Sequence, residues 1–214
     1  MTAARPGARA VLRLTMSRAT SGLNDREGDE MGCAKPRVIQ AGDIADAIER
    51  LCISACCNLP DENLKRIEAF AATEESEVGR QVLEMILENH RLAAREQRPA
   101  CQDTGLAVIF LELGQDVRVE GGDLVAALNE GVRRGYEKGY LRKSVVAEPL
   151  FDRKNTRDNT PAIIHTSVVA GDQLKITLAP KGGGAENMSG VAMMIPAAGV
   201  EGVRRFVVEQ VRKA

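Results

Sequence analysis

With 214 residues the chain has room for one large domain or two small ones, and 44 % apolar residues can support a sizeable core. Aromatic residues make up only 3 %, with no tryptophan, so that core has to be built from Val, Ile, Leu, Ala and Met. The 29 basic and 30 acidic side chains leave a net charge of −1. No global basic field is therefore expected for nucleic acid or an acidic membrane, and a small-molecule or protein partner is expected instead.

The first 24 residues hold four arginines and no acid. This is the composition of a transit peptide, or of a start assigned upstream of Met16 or Met31. Residues 1–36 are accordingly read as a disordered tail or misassigned start, and 37–214 as the folded domain. Helical periodicity begins at Ala41, where Ile44, Ala47, Ile48, Leu51, Cys52 and Ala55 recur at three- and four-residue steps behind Asp43 as N-cap. Pro60 ends this helix and Asp61 caps a second one. A third, capped by Ser76, carries a stripe of Val82, Met85, Ile86, Leu92 and Ala93, and His90 on its charged side is expected at the surface.

Pro99 breaks the helix, and "TGLAVIFLELG" reads as a strand buried on both faces because its apolar run is nearly continuous. Gly121, Gly122 and Asp123 open a helix that reaches about Lys138. Two strands joined at Gly171-Asp172, a pair suited to a hairpin, lead into the glycine-rich loop "KGGGAENMSG" and a last helix. The expected class is mixed α/β (α+β), a helical region followed by a sheet with flanking helices. No apolar run approaches the ~18 residues that span a bilayer. The five cysteines (33, 52, 56, 57 and 101) suggest no disulfide framework and fit a reducing cytoplasm.

Four stretches carry chemistry-bearing residues. In Cys101-Gln102-Asp103 a thiolate stands beside an amide and a carboxylate at a strand entrance. A packed core thiol accounts for Cys101 from spacing alone, since one cysteine cannot hold a metal. Arg142 and Lys143 follow a helix end, where they either clamp a carboxylate or complement the helix dipole. "PLFDRKNTRDNTPAIIH" is a long polar loop of the kind that binds something, and His165 after it reads as a hydrogen-bonded strand residue. Lys181 and the three glycines from Gly182 to Gly184 form either an anion cradle or a flexible turn.

"CQDTG", "LRKSVV", "PLFDRKNT", "DNTPA", "APKGGG" and "GVEGV" follow one another in an order that resembles the alpha subunit, or N-terminal region, of class I fumarate hydratases and L-tartrate dehydratases. The resemblance covers residues 37–214. It implies a hydro-lyase with a [4Fe-4S] cluster held by three cysteines, converting fumarate to (S)-malate. The alternatives are an L-tartrate dehydratase alpha subunit or a non-catalytic dicarboxylate-binding remnant. It further implies Cys101 as a cluster ligand, Gln102 and Asp103 as substrate contacts, and Asp103 in proton handling. Arg142, Lys181, Gly183 and Gly184 are implied on the dicarboxylate. In the family a further cysteine-bearing segment follows the last helix. The chain is thus expected to carry one of three ligands, to be truncated and inactive alone, and to act with a beta subunit or C-terminal domain in a homo-oligomer.

Overall fold

The computed structural model describes residues 12–16 and 36–213. In chain order the strands and helices are β1 (Leu12–Met16), β2 (Arg37–Gln40), α1 (Ala41–Cys57), α2 (Asp61–Thr73), α3 (Glu77–Glu96), β3 (Leu106–Gly114), β4 (Val117–Glu120) and α4 (Leu124–Lys138). They continue with β5 (Ile163–Val169), β6 (Leu174–Lys181), α5 (Gly183–Asn187) and α6 (Gly199–Lys213). The class is mixed α/β, as expected. Part of the stretch read as a tail, β1, lies antiparallel to β6 at the sheet edge. Cys33 and the rest of residues 1–35 lie outside the described residues.

The main sheet has the order β1-β6-β3-β5, with β3 antiparallel to β6 and parallel to β5, and β2 pairs with β4 in a small parallel sheet. One face of the main sheet presents Ala107, Ile109 and Leu111 from β3 and Leu174, Ile176 and Leu178 from β6, all buried. Against it pack Ile44, Ile48 and Leu51 of α1 and Leu128, Val132 and Tyr136 of α4, forming one core. The α1–α4 seam is close because α4 carries glycine where the helices cross. A Cβ added at Gly131 would stand 2.5 Å from both the Ala45 carbonyl oxygen and the Ile48 Cβ. Ion pairs flank the seam, with Arg134 on Asp46 and Lys138 on Glu49 at 2.8 Å.

Several sequence expectations are corrected. The strand β3 is buried on one face only. Phe110 on its outer face is 46 % exposed and stacks on His165 with ring centroids 5.1 Å apart, so His165 is a stacking residue on an open face. A continuous apolar run marks both faces as apolar without deciding that both are covered. The strands β5 and β6 form where expected but make no hairpin, because β3 runs between them. Their connection arches over the end of β3, with Gly114 N–H donating to Gln173 O at 2.9 Å and Gln115 N–H to Val169 O at 2.8 Å. A turn pair sets local direction and says nothing about a third strand inserted between its arms.

Ser76 caps α3 as expected, accepting Gly79 N–H at 3.2 Å, and Asp123 caps α4 by accepting Ala126 N–H at 2.8 Å. Asp43 and Asp61 lie in first turns rather than at N-caps, where a carboxylate still meets the positive end of the helix dipole. Of the stripe expected on α3 only Ala93 is buried, and Met85 is 63 % exposed. The glycine-rich loop contains one helical turn, α5. No described helix is long and apolar enough to cross a membrane.

Candidate active site

After Pro99, Ala100 N–H donates to Cys56 O at 3.0 Å, and Asn89 Nδ2 donates to Ala100 O at 2.8 Å. These two bonds tie the approach to Cys101 to α1 and α3. Cys101 is exposed at the mouth of β3. Asp103 N–H donates to its Sγ at 3.5 Å, and the thiol donates to Gln102 Oε1 at 3.5 Å. The Asp103 carboxylate accepts Gly183 N–H at 2.7 Å, which joins the cysteine loop to the glycine segment 80 residues later. That joint requires glycine at 105, with φ +68, where a Cβ would stand 2.1 Å from the Lys181 carbonyl oxygen.

Three buried polar residues hold this loop from behind. Thr104 Oγ1 donates to Arg142 O at 3.1 Å. The Tyr136 hydroxyl lies 3.1 Å from Thr104 O and 3.0 Å from Gly105 O. Burial pushes its ionisation well above the usual phenol range, so it stays a neutral donor. Asn159, fully buried, donates through Nδ2 to Gly105 O at 3.1 Å and accepts Ser144 and Val145 N–H at 2.7 and 3.2 Å. One side chain thereby ties the cysteine loop to the segment that follows Arg142. Sequence reasoning gave none of the three a role, although Thr104 and Asn159 stand within "CQDTG" and "DNTPA". Tyr136 stands at helical steps from Leu128 and Val132 and reads as core, while Asn159 was one polar residue among many in its loop. That loop spends its polar groups internally: Glu148 accepts the N–H groups of Leu150, Phe151 and Asp152 at 2.6 to 2.9 Å.

Two cavities meet at Cys101. One of about 680 Å³ is lined by Cys101, Gln102, Arg142, Tyr140 and Arg98. The other, about 130 Å³, is lined by Cys101, Asp103, Cys56 and His90. His90, expected at the surface, is half-buried there. Its Nδ1 is buried without a hydrogen-bond partner among the described residues, and desolvation lowers its pKa. Gly184 lines neither cavity, and no atom within 4 Å would meet a Cβ on it. Lys181 ends β6 beside Gly105, and the Gly183 amide is engaged by Asp103.

Cys52 and Cys57 are buried in the core, where desolvation raises both thiols above their ordinary range and makes them poor ligands. Among the described residues no three His, Cys, Asp or Glu side chains come together to hold a metal ion. A cubane iron–sulfur cluster held by protein thiolates alone therefore does not fit the described residues, where the cavity at Cys101 holds one other thiol, Cys56, and three are needed.

The chain belongs to the fumarate hydratase (Fumerase) family, whose sequence model matches residues 45–214. Its relatives include a Methanocaldococcus jannaschii protein named provisionally as an L(+)-tartrate dehydratase subunit alpha. That protein is 34 % identical over 176 residues, which are 80 % of this chain and 61 % of the relative. An Escherichia coli L(+)-tartrate dehydratase subunit alpha is 30 % identical over 72 % of this chain and 51 % of its own length. The anaerobic class I fumarate hydratase of Escherichia coli is 36 % identical over 141 residues, 65 % of this chain and 26 % of that protein. The chain thus spans about half the length of the curated tartrate dehydratase subunits it matches.

Proposed function

We propose that this chain contributes the substrate-clamping and proton-handling side of an iron–sulfur hydro-lyase. The reaction is the reversible hydration of fumarate to (S)-malate in a reducing, cytoplasmic setting. The observation that carries the reading is the juxtaposition at the mouth of β3. Cys101 and Gln102 share a cavity with Arg142, while Asp103, next in sequence, is anchored by the Gly183 amide. Arg142 offers a fork of donors to one carboxylate of a four-carbon diacid, and Gln102 orients its neighbour. A C–H bond beside a carboxylate is weakly acidic and calls for a positioned base, the role given to Asp103. Cys101 would lend one thiolate to a [4Fe-4S] cluster whose other ligands come from outside the described residues. The steps given to this chain are binding and proton transfer alone. Partner segments, a beta subunit or C-terminal domain, and assembly as a homo-oligomer belong to the same proposal.

L-tartrate dehydration is the second reading. It is favoured by relatives of that name aligning over 72 to 80 % of the chain, against 65 % for the fumarate hydratase. The test is anaerobic assembly of the chain with iron, sulfide and the complementary segments of an L(+)-tartrate dehydratase-type enzyme. Turnover is then followed with L-malate, fumarate and L-tartrate. Turnover of the malate–fumarate pair supports the first reading and turnover of tartrate the second, whereas colourless protein inactive on all three contradicts both.

A further inference from the structure

Tyr140 stands where the chain leaves α4. Leu141 N–H donates to Tyr136 O at 3.0 Å, and Tyr140 N–H to Glu137 O at 3.3 Å. This pair of bonds defines a Schellman ending, and the residue between them adopts the left-handed region, here Tyr140 with φ +52. Glycine is the usual occupant because a Cβ crowds the backbone there. Gly139, just before it, has φ −81 and makes no use of glycine's freedom. The tyrosine gains no burial in return, since it is 91 % exposed. Helix termination and core packing both argue for another residue at this position. Tyr140 stands on the wall of the 680 Å³ cavity with Cys101, Gln102 and Arg142.

We propose that Tyr140 is a substrate-contacting residue whose phenol donates a hydrogen bond to the carboxylate that Arg142 clamps. The inference rests on the dicarboxylate reading of that cavity. A carboxylate offers about four acceptor sites, of which a guanidinium fork fills two, so the phenol has an acceptor to meet. The substrate end is then held by three donors from one turn of chain, and the ring screens it from solvent.

The composition supplies the probe. The chain has two tyrosines and no tryptophan, and Tyr136 is buried, so a ligand-dependent change in tyrosine emission reports the exposed ring. L-malate and L-tartrate are titrated into the chain by calorimetry and by emission, with Tyr140→Phe, Tyr140→Gly and Arg142→Ala alongside. The expected result is a saturable emission change in the wild type and a roughly tenfold or greater loss of affinity in Tyr140→Phe, as for a hydrogen bond to a charged group. Tyr140→Gly is expected to raise Tm while weakening binding at least as much, a combination that a merely structural residue would not give. If Arg142→Ala loses binding while both Tyr140 variants bind as the wild type does, this inference is overturned and the dicarboxylate site stands. If the wild type binds neither acid, both are overturned.

Discussion

The helices α1 and α6 are built alike and packed differently. They run for 17 and 15 residues, and each has one apolar side. The apolar side of α1 disappears into the core through Ile44, Ala47, Ile48, Leu51 and Cys52, whereas α6 buries none of its residues and leaves Val200 77 % and Val211 70 % exposed. Periodicity therefore identifies which side of a helix is apolar, and tertiary partners decide whether it is covered. The partner of α1 is α4, whose Gly131 and Gly135 allow the close crossing. The α3 stripe and the outer face of β3 fall on the uncovered side of the same comparison.

The largest effect that would sharpen this contrast is expected at Ile48, which is fully buried. Ile48→Ala should lower the unfolding free energy in urea by roughly 3 kcal/mol, through lost burial and the cavity left behind. A loss under about 1 kcal/mol would mean that α1 is not the inner face of the core. Next comes Asn159, which joins the cysteine loop to the segment after Arg142. Asn159→Ala leaves the Ser144 and Val145 N–H groups without their acceptor, removes one of the two donors at Gly105 O and puts alanine at φ +63, at a cost on the order of 2–3 kcal/mol. Faster amide exchange at residues 104, 105, 144 and 145 should accompany it, and unchanged protection there would contradict the brace.

A smaller effect follows from pH. Burial raises the ionisation of the Cys52 thiol above its ordinary 9.0 and of the Tyr136 phenol above 10.0. Above these values the unfolded chain releases protons that the folded chain keeps. Stability that is complete below about pH 9 should therefore fall as the pH rises further. The urea midpoint should drop between about pH 8 and 10.5, and a flat profile would mean that both groups are reached by solvent. The smallest change is expected from Val207→Ser on α6, within about 0.5 kcal/mol of wild type in this chain. A loss comparable with that of Ile48→Ala would erase the distinction between the two helices.

What was readable beforehand follows the same line. The helices announced themselves through local signals, namely the α1 stripe and the caps Ser76 and Asp123, and the strands through their apolar runs. The insertion of β3 between β5 and β6 was not readable, because a turn pair carries no information about distant strands. At the site, Cys101, Gln102, Asp103 and Arg142 drew notice as polar residues at element ends, and the first and last of these do share a cavity. Tyr136 and Asn159 did not, because their partners lie 14 to 54 residues away in sequence and leave no local pattern. His90 was misjudged because charged neighbours along a helix do not reveal which flank turns inward.

The central claim is that Asp103, fixed by the Gly183 amide beside Cys101, handles the proton of a hydro-lyase reaction. The most direct test compares Asp103→Asn with the wild type in the anaerobically assembled enzyme, using the acid that the wild type turns over. The account predicts kcat lowered by roughly a hundredfold or more, as expected on losing a general acid–base, with KM changed far less. Wild-type kcat in Asp103→Asn would contradict it.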